Sequence, residues 1–156
     1  MRSRILIIIV FITFFSVLSS SQEAGQTAPE LSGFGNDGKR YSLSQFRGKV
    51  VLLKFWYSAC HSCSDSMTYT QYLYKKYSRQ GLVLFLVSVG SSIIEDSEYL
   101  RLNNILSTVS VFRRGLNMRN YSIRVFPFEY IIDKNGMIRW SGGQNMNENI
   151  LVDLLK

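Results

Sequence analysis

The sequence predicts an α/β protein in which a mixed central sheet is flanked by helices. Three observations carry that expectation. Residues 50–56 and 82–89 are almost continuously apolar yet too short for helices of their own, so they read as strands buried on both faces. Helical spacing separates them, most clearly over 62–78, where Met67, Tyr69, Leu73, Tyr74 and Tyr77 recur at helical intervals. Further on, the stretches 128–132 and 137–141 enclose Asp133-Lys134-Asn135-Gly136, a hairpin turn by composition, and a helical segment over 147–156 follows. Strands alternating with helices, then a hairpin and a helix, make a layered α/β sandwich.

The remaining elements follow in chain order. Arg2 and Arg4 precede residues 5–18, in which only Thr13 and Ser16 are polar. As a helix that run reaches roughly 21 Å, short of a ~30 Å hydrocarbon core. With Ser19-Ser20-Ser21 behind it, the segment 1–21 is expected to be a secretory signal peptide, or else an N-terminal membrane anchor. Residues 22–30 are polar and small and read as a linker, leaving 31–156 as the folded domain. Asp37-Gly38 is the turn signal of an N-terminal β-hairpin formed by 31–34 and 39–42. Ser42 caps a short helical turn closed by Gly48. A helix is expected over 96–105, a short strand over 109–112 and a short helix over 116–121.

Composition narrows the function. Of 156 residues, 46% are apolar and 19% charged, which excludes a disordered chain. The formal charge of +7 falls to +5 once Arg2 and Arg4 leave with the signal, and no basic cluster is denser than Arg113-Arg114. No nucleic-acid partner is therefore expected. Two cysteines and one histidine are too few for a disulfide scaffold or a cysteine-only zinc site. An exported domain works in an oxidising compartment, where a cysteine pair can cycle or lock.

That pair is Cys60-His61-Ser62-Cys63, placed where a buried strand ends and a helix begins. The first turn of a helix has unpaired N–H groups and a partial positive charge, and both favour a thiolate over a thiol. The thiolate is the attacking species, and such sites lower a cysteine pKa from about 8.5 to roughly 3.5–7.5. Cys60 is expected to be the exposed nucleophile and Cys63 the buried resolver of a mixed disulfide. Two other readings stand beside this one. A purely structural disulfide would close a very small loop, about 2 kcal/mol in the loop-length treatment against about 5 for a hundred-residue loop. A metal site would have two thiolates and His61 but no fourth ligand, so no metal and no cofactor beyond the cysteine pair is expected.

The stretch Gly48-Lys49-Val50-Val51-Leu52-Leu53-Lys54-Phe55-Trp56, followed by the cysteine motif, resembles the thioredoxin-like family of TlpA/ResA type. Tyr74-Lys75-Lys76-Tyr77, residues 81–89, and Pro127 followed by Tyr130-Ile131-Ile132-Asp133-Lys134-Asn135-Gly136 extend the likeness to residues 27–156. The resemblance implies a thioredoxin-like fold with a central strand–helix insertion. It also implies an exported or membrane-tethered thiol–disulfide oxidoreductase, several relatives of which reduce other exported proteins, apocytochromes included. The expected partners are protein thiol or disulfide substrates and a thiol electron donor, either soluble or membrane-bound, with the protein a monomer, free or membrane-anchored, in the periplasm or another extracytoplasmic space. By the same resemblance Pro127 is cis and lies against the cysteines, while Phe126 offers its backbone to an extended substrate segment.

The departures from that pattern are specific. Ala59 stands where the family commonly has Trp, Thr68 where it has a helical proline, and Ser66 where ResA-type relatives have a glutamate. Lys54 occupies the place of a buried aspartate in thioredoxins. Lys54 is a candidate for favouring the thiolate by its charge, Glu129 for acid/base work, and His61, when protonated, for stabilising Cys60. Asp65 is expected to face solvent.

Two other function classes stand beside the oxidoreductase. A peroxiredoxin-like peroxidase needs a threonine three residues before its cysteine, where Tyr57 stands. A thioredoxin-fold binding module that has lost turnover would keep the cysteines without exchanging disulfides. The redox direction is set by neither motif nor composition, because potentials of such proteins span roughly −270 to −120 mV.

Overall fold

The structure is a computed structural model, described over residues 24–35, 37–90, 92–117, 120–121, 123–143 and 146–156, with the backbone alone over 113–117. The signal or anchor expected over 1–21 lies outside the described residues. Among those described, no helix is long and apolar enough to cross a membrane.

Seven strands form one mixed sheet in the order β2-β1-β5-β4-β3-β6-β7. They are β1 (Ser32–Gly35), β2 (Arg40–Ser42), β3 (Val50–Trp56), β4 (Leu82–Ser88), β5 (Val109–Asn117), β6 (Phe128–Ile132) and β7 (Ile138–Gly142). The helices are α1 (His61–Tyr77), α2 (Ile93–Leu102) and α3 (Glu148–Leu155). Strand β3 pairs parallel with β4 and antiparallel with β6, and β4 pairs parallel with β5. The expected hairpins are both present, β1 with β2 and β6 with β7.

Side-chain alternation along these strands sorts the core into two halves. Val51, Leu53 and Phe55 join Val83, Phe85, Val87, Tyr130 and Ile132 on one face, closed by Ala28, Leu31, Leu43 and Tyr121. Val50, Leu52 and Trp56 join Leu84, Leu86 and Ile131 on the other, against Met67 and Leu73 of α1 and Leu151 of α3. All three helices contribute to this second half, including Tyr99 and Leu100 of α2. Lys54 and Glu129 belong by parity to this helix-covered face, and that decides their surroundings.

Three expectations need correction. The segment expected as a linker over 22–30 is, from Gly25 on, fastened to the β6–β7 hairpin by backbone hydrogen bonds and an isolated bridge between Thr27 and Met137. Gly25 and Ala28 donate to the carbonyls of Ile138 and Gly136, and Ile138 donates back to Gln26. Helix α2 lies three residues earlier than expected, because the Ser92 hydroxyl accepts from the Glu95 amide and caps it there. It ends where Asn104 adopts a left-handed φ of 51°. Finally, Leu116 and Asn117 do not open a helix. They continue β5, whose pairing with β1 runs to Asn117 opposite Ser32 and satisfies backbone groups that a helix would leave exposed. Residues 118 and 119 of that expected helix lie outside the described residues.

Candidate active site

The cysteine motif sits at the C-terminal end of β3, an inner strand of the sheet, at the start of α1. Cys60 is the residue that caps α1. Its sulfur accepts a hydrogen bond from the Cys63 amide at 3.1 Å, the place a Ser or Asp side chain usually fills. Cys60 and Cys63 are joined as a disulfide. Cys60 is 6% exposed and Cys63 1%, so the residue expected to be the exposed nucleophile is the less deeply buried of the two but is recessed rather than open. On reduction the N-terminal amides and dipole of α1 point at the Cys60 sulfur, which stabilises its anion.

Two segments far apart in sequence flank the pair. Ser58, two residues before Cys60, donates its amide to the buried Asp96 carboxylate at 2.7 Å, and Asp96 also accepts from the Ser88 hydroxyl. This anchors the loop between β3 and α1 onto the start of α2. On the other side the Phe126–Pro127 peptide is cis. The Ser62 hydroxyl donates to the Phe126 carbonyl at 3.2 Å, and the Phe126 ring meets Tyr57 edge-on at 5.5 Å. Ser62 lies 3.5 Å from the Cys60 sulfur as well. Nothing in the sequence singled out Ser62, since a serine in the first turn of a helix is ordinary and its partner lies 64 residues away. Ala59, which replaces the family's tryptophan, borders a shallow hollow with Ser58, Glu95, Tyr99 and Leu102.

Beneath α1 lies a charged pair. Lys54 is fully buried, and its Nζ donates to Glu129 Oε1 at 2.6 Å, Ser66 Oγ at 2.8 Å and Thr70 Oγ1 at 2.9 Å. Glu129 is 5% exposed and sits directly opposite Lys54 in the β3–β6 register. Burial pushes the Lys54 amine below its ordinary range, and the Glu129 carboxylate pulls it part of the way back. The network reaches the motif through Ser66, whose hydroxyl donates to the Cys63 carbonyl at 3.0 Å. Neither Lys54 nor Glu129 is the solvated surface group that each residue type commonly is. His61 begins α1 and is exposed, and Asp65 is exposed one turn on. Among the described residues no group of three or more His, Cys, Asp or Glu could hold a metal ion.

Comparison with known proteins agrees with this geometry. The Redoxin family matches residues 23–155. The chain is 27% identical over 146 residues to the ResA thiol-disulfide oxidoreductase of Geobacillus kaustophilus, covering 89% of this chain and 83% of that one. It is 30% identical over 122 residues to the thioredoxin-like protein YneN of Bacillus subtilis, covering 75% and 69%. In structure it superposes on the thioredoxin domain of a thiol-disulfide oxidoreductase from Bacteroides vulgatus with a TM-score of 0.76 at 21% identity, over 86% of this chain and 99% of that one. The chain therefore belongs to the Redoxin family, as a thiol–disulfide oxidoreductase of thioredoxin fold whose cysteine pair is Cys60–Cys63.

Proposed function

We propose that the protein reduces disulfides in exported proteins, in a periplasmic or other extracytoplasmic space. The observation that carries the reading is the Cys60–Cys63 disulfide capping α1, with the Phe126–Pro127 segment beside it. In the reduced protein the Cys60 thiolate attacks a substrate disulfide, forming a mixed disulfide and expelling one substrate thiolate. Cys63 then gives up its proton, attacks the Cys60 sulfur and releases the second substrate thiolate. Two electrons pass to the substrate, the enzyme is left as its disulfide, and the Cys63 proton ends on a departing thiolate. A thiol donor on the exported side restores the dithiol.

Phe126 supplies main-chain groups to an extended substrate segment, and Pro127, which has no N–H, shapes that wall of the site. Cys63 is the buried resolver, and its proton must leave through a region without the usual carboxylate, since Ser66 stands there. The Lys54–Glu129 pair beneath α1 is the nearest ionisable system linked to it, through Ser66. The reductant direction rests on the resemblance to ResA-type relatives, and the basic N-terminus with its apolar run supports export.

The test is the redox equilibrium of the pair against graded dithiothreitol or glutathione, with Cys60→Ser as control. A potential below about −200 mV is expected. A value near −120 mV would reverse the direction, and a pair that fails to exchange in a folded domain would leave a binding module instead.

A further inference from the structure

Ser62 has one hydroxyl proton and two acceptors within reach, the Phe126 carbonyl at 3.2 Å and the Cys60 sulfur at 3.5 Å. In the disulfide the sulfur carries no charge and is a weak acceptor, so the carbonyl, which is also the nearer of the two, is the favoured partner of the proton. Reduction converts the same sulfur into a thiolate. Hydrogen bonds to an ionised acceptor are roughly twice as strong as neutral ones, which reverses the preference. Little movement is needed, because both acceptors border one rotamer of a short side chain in the first turn of α1.

We propose that Ser62 is a redox-linked positioning residue: its hydroxyl bonds the Phe126 carbonyl in the disulfide form and the Cys60 thiolate in the dithiol form, freeing that carbonyl for the main chain of a disulfide-bearing substrate. The reduced enzyme then presents both an activated nucleophile and an open acceptor to an extended segment carrying a disulfide. After exchange the hydroxyl returns to the carbonyl and competes with the reduced product for it, which favours release. The substrate side of this inference rests on the reading of the protein as a disulfide reductase. The titratable and charged groups around Cys60 are Cys63, His61 next in the chain, Tyr57 before it, the Lys54–Glu129 pair beneath α1, and on the α2 side Asp96, which holds the Ser58 amide, with Glu95 and Glu98 beside Ala59. Among the described residues none of their side chains donates a hydrogen bond to the Cys60 sulfur, whereas Ser62 and the Cys63 amide face it.

The chain contains a single Phe–Pro bond, Phe126–Pro127. Protein labelled with carbonyl-13C phenylalanine and 15N proline therefore gives one carbonyl–nitrogen correlation, which reports on the Ser62 bond directly. In the wild type that carbonyl resonance is expected to move when dithiothreitol reduces the pair. Ser62→Ala should hold it near the unbonded position in both redox states, and Ser62→Thr should restore the movement. The pH profile of Cys60 alkylation by iodoacetamide is the second readout. Its midpoint should rise by about one unit in Ser62→Ala, tenfold less thiolate at a given pH below it, with Ser62→Thr near wild type. A Phe126 resonance that ignores reduction, or that moves equally in Ser62→Ala, overturns the proposal, as does an unchanged alkylation midpoint. Neither readout uses a protein substrate, so failure to reduce protein disulfides would count against the reductase reading alone.

Discussion

Replacing Glu129 with glutamine leaves an ammonium in the core without its counter-charge. Lys54 is fully buried and Glu129 is 2.6 Å from it, so the substitution breaks a buried pair rather than a surface one. Breaking such pairs costs about 3–5 kcal/mol. Ser66 and Thr70 still accept from the amine at 2.8 and 2.9 Å, which places this case at the lower end, about 3 kcal/mol at pH 7. The cost also depends on pH, in a direction fixed by linkage. Burial already lowers the Lys54 pKa, and Glu129 opposes that shift. Without Glu129 the folded-state value falls further below the unfolded value of about 10.4. Between those two values the unfolded chain binds more protons, so stability rises with pH, by at most about 1.4 kcal/mol per unit. The deficit of Glu129→Gln relative to wild type should therefore shrink as pH rises from 7 towards 10. Guanidinium unfolding of the oxidised protein across that range, followed by Trp fluorescence, measures it. The double variant Lys54→Met/Glu129→Leu should return to within about 2 kcal/mol of wild type at pH 7, because it removes both charges. A Glu129→Gln deficit below about 1 kcal/mol, or one that does not change with pH, would refute the reasoning.

Other outcomes follow from the same contacts. Cys63→Ser should accumulate a mixed disulfide when Cys60 attacks a disulfide substrate and expels one of its thiolates, visible as a mass adduct, while Cys60→Ser should form none; trapping by Cys60→Ser alone would reverse the roles of nucleophile and resolver, and equal trapping by both would abolish the distinction. Asp96→Ala should cost about 3 kcal/mol in denaturant unfolding, because it strands the Ser58 amide and the Ser88 hydroxyl. It should also speed amide exchange at Ser58, and unchanged exchange there would show that Asp96 does not hold the loop before Cys60. Tyr121→Phe removes the bond from its hydroxyl to the Pro29 carbonyl at 2.7 Å and should cost about 1 kcal/mol. Faster amide exchange at Ala28, whose N–H bonds Gly136, would report loosening of the N-terminal segment, and no change in either measure would show that the bond does not anchor it.

Local pattern made most of the fold legible. The runs over β3 and β4 are apolar at every place but one or two, and a helix of that length could not bury them all. The hairpin turns announced themselves in Asp37-Gly38 and Asn135-Gly136, where Gly38 and Gly136 take φ of 72° and 81°. The failures fell where tertiary pairing overrode a local signal. Leu116 and Asn117 have no strand pattern of their own, and the open edge of β1 recruits them. The segment from Gly25 to Ala28 looks like a linker because Gly25, Gln26 and Thr27 are exposed and backbone pairing with the β6–β7 hairpin, rather than a run of apolar side chains, holds it in place. Ser92 was a readable cap for α2 that apolar periodicity obscured.

The site divides in the same way. Cys60 and Cys63 lie three residues apart, so their spacing, and the strand before them, sufficed to place them at the start of a helix and to suggest their chemistry. Lys54 and Glu129 could each be named as candidates, but 75 residues separate them, and the β3–β6 register alone makes them one buried pair. The contact between Ser62 and Phe126 has the same origin. The sequence alone determines periodicity, caps, turns and the local cysteine motif, because these depend on residues within one or two turns of each other. Which charges meet in the core, and which hydroxyl faces the Phe126 carbonyl, was decided only when the sheet closed and brought distant strands into register, since neither hydrogen bonding nor Coulomb attraction acts along the chain at such separations.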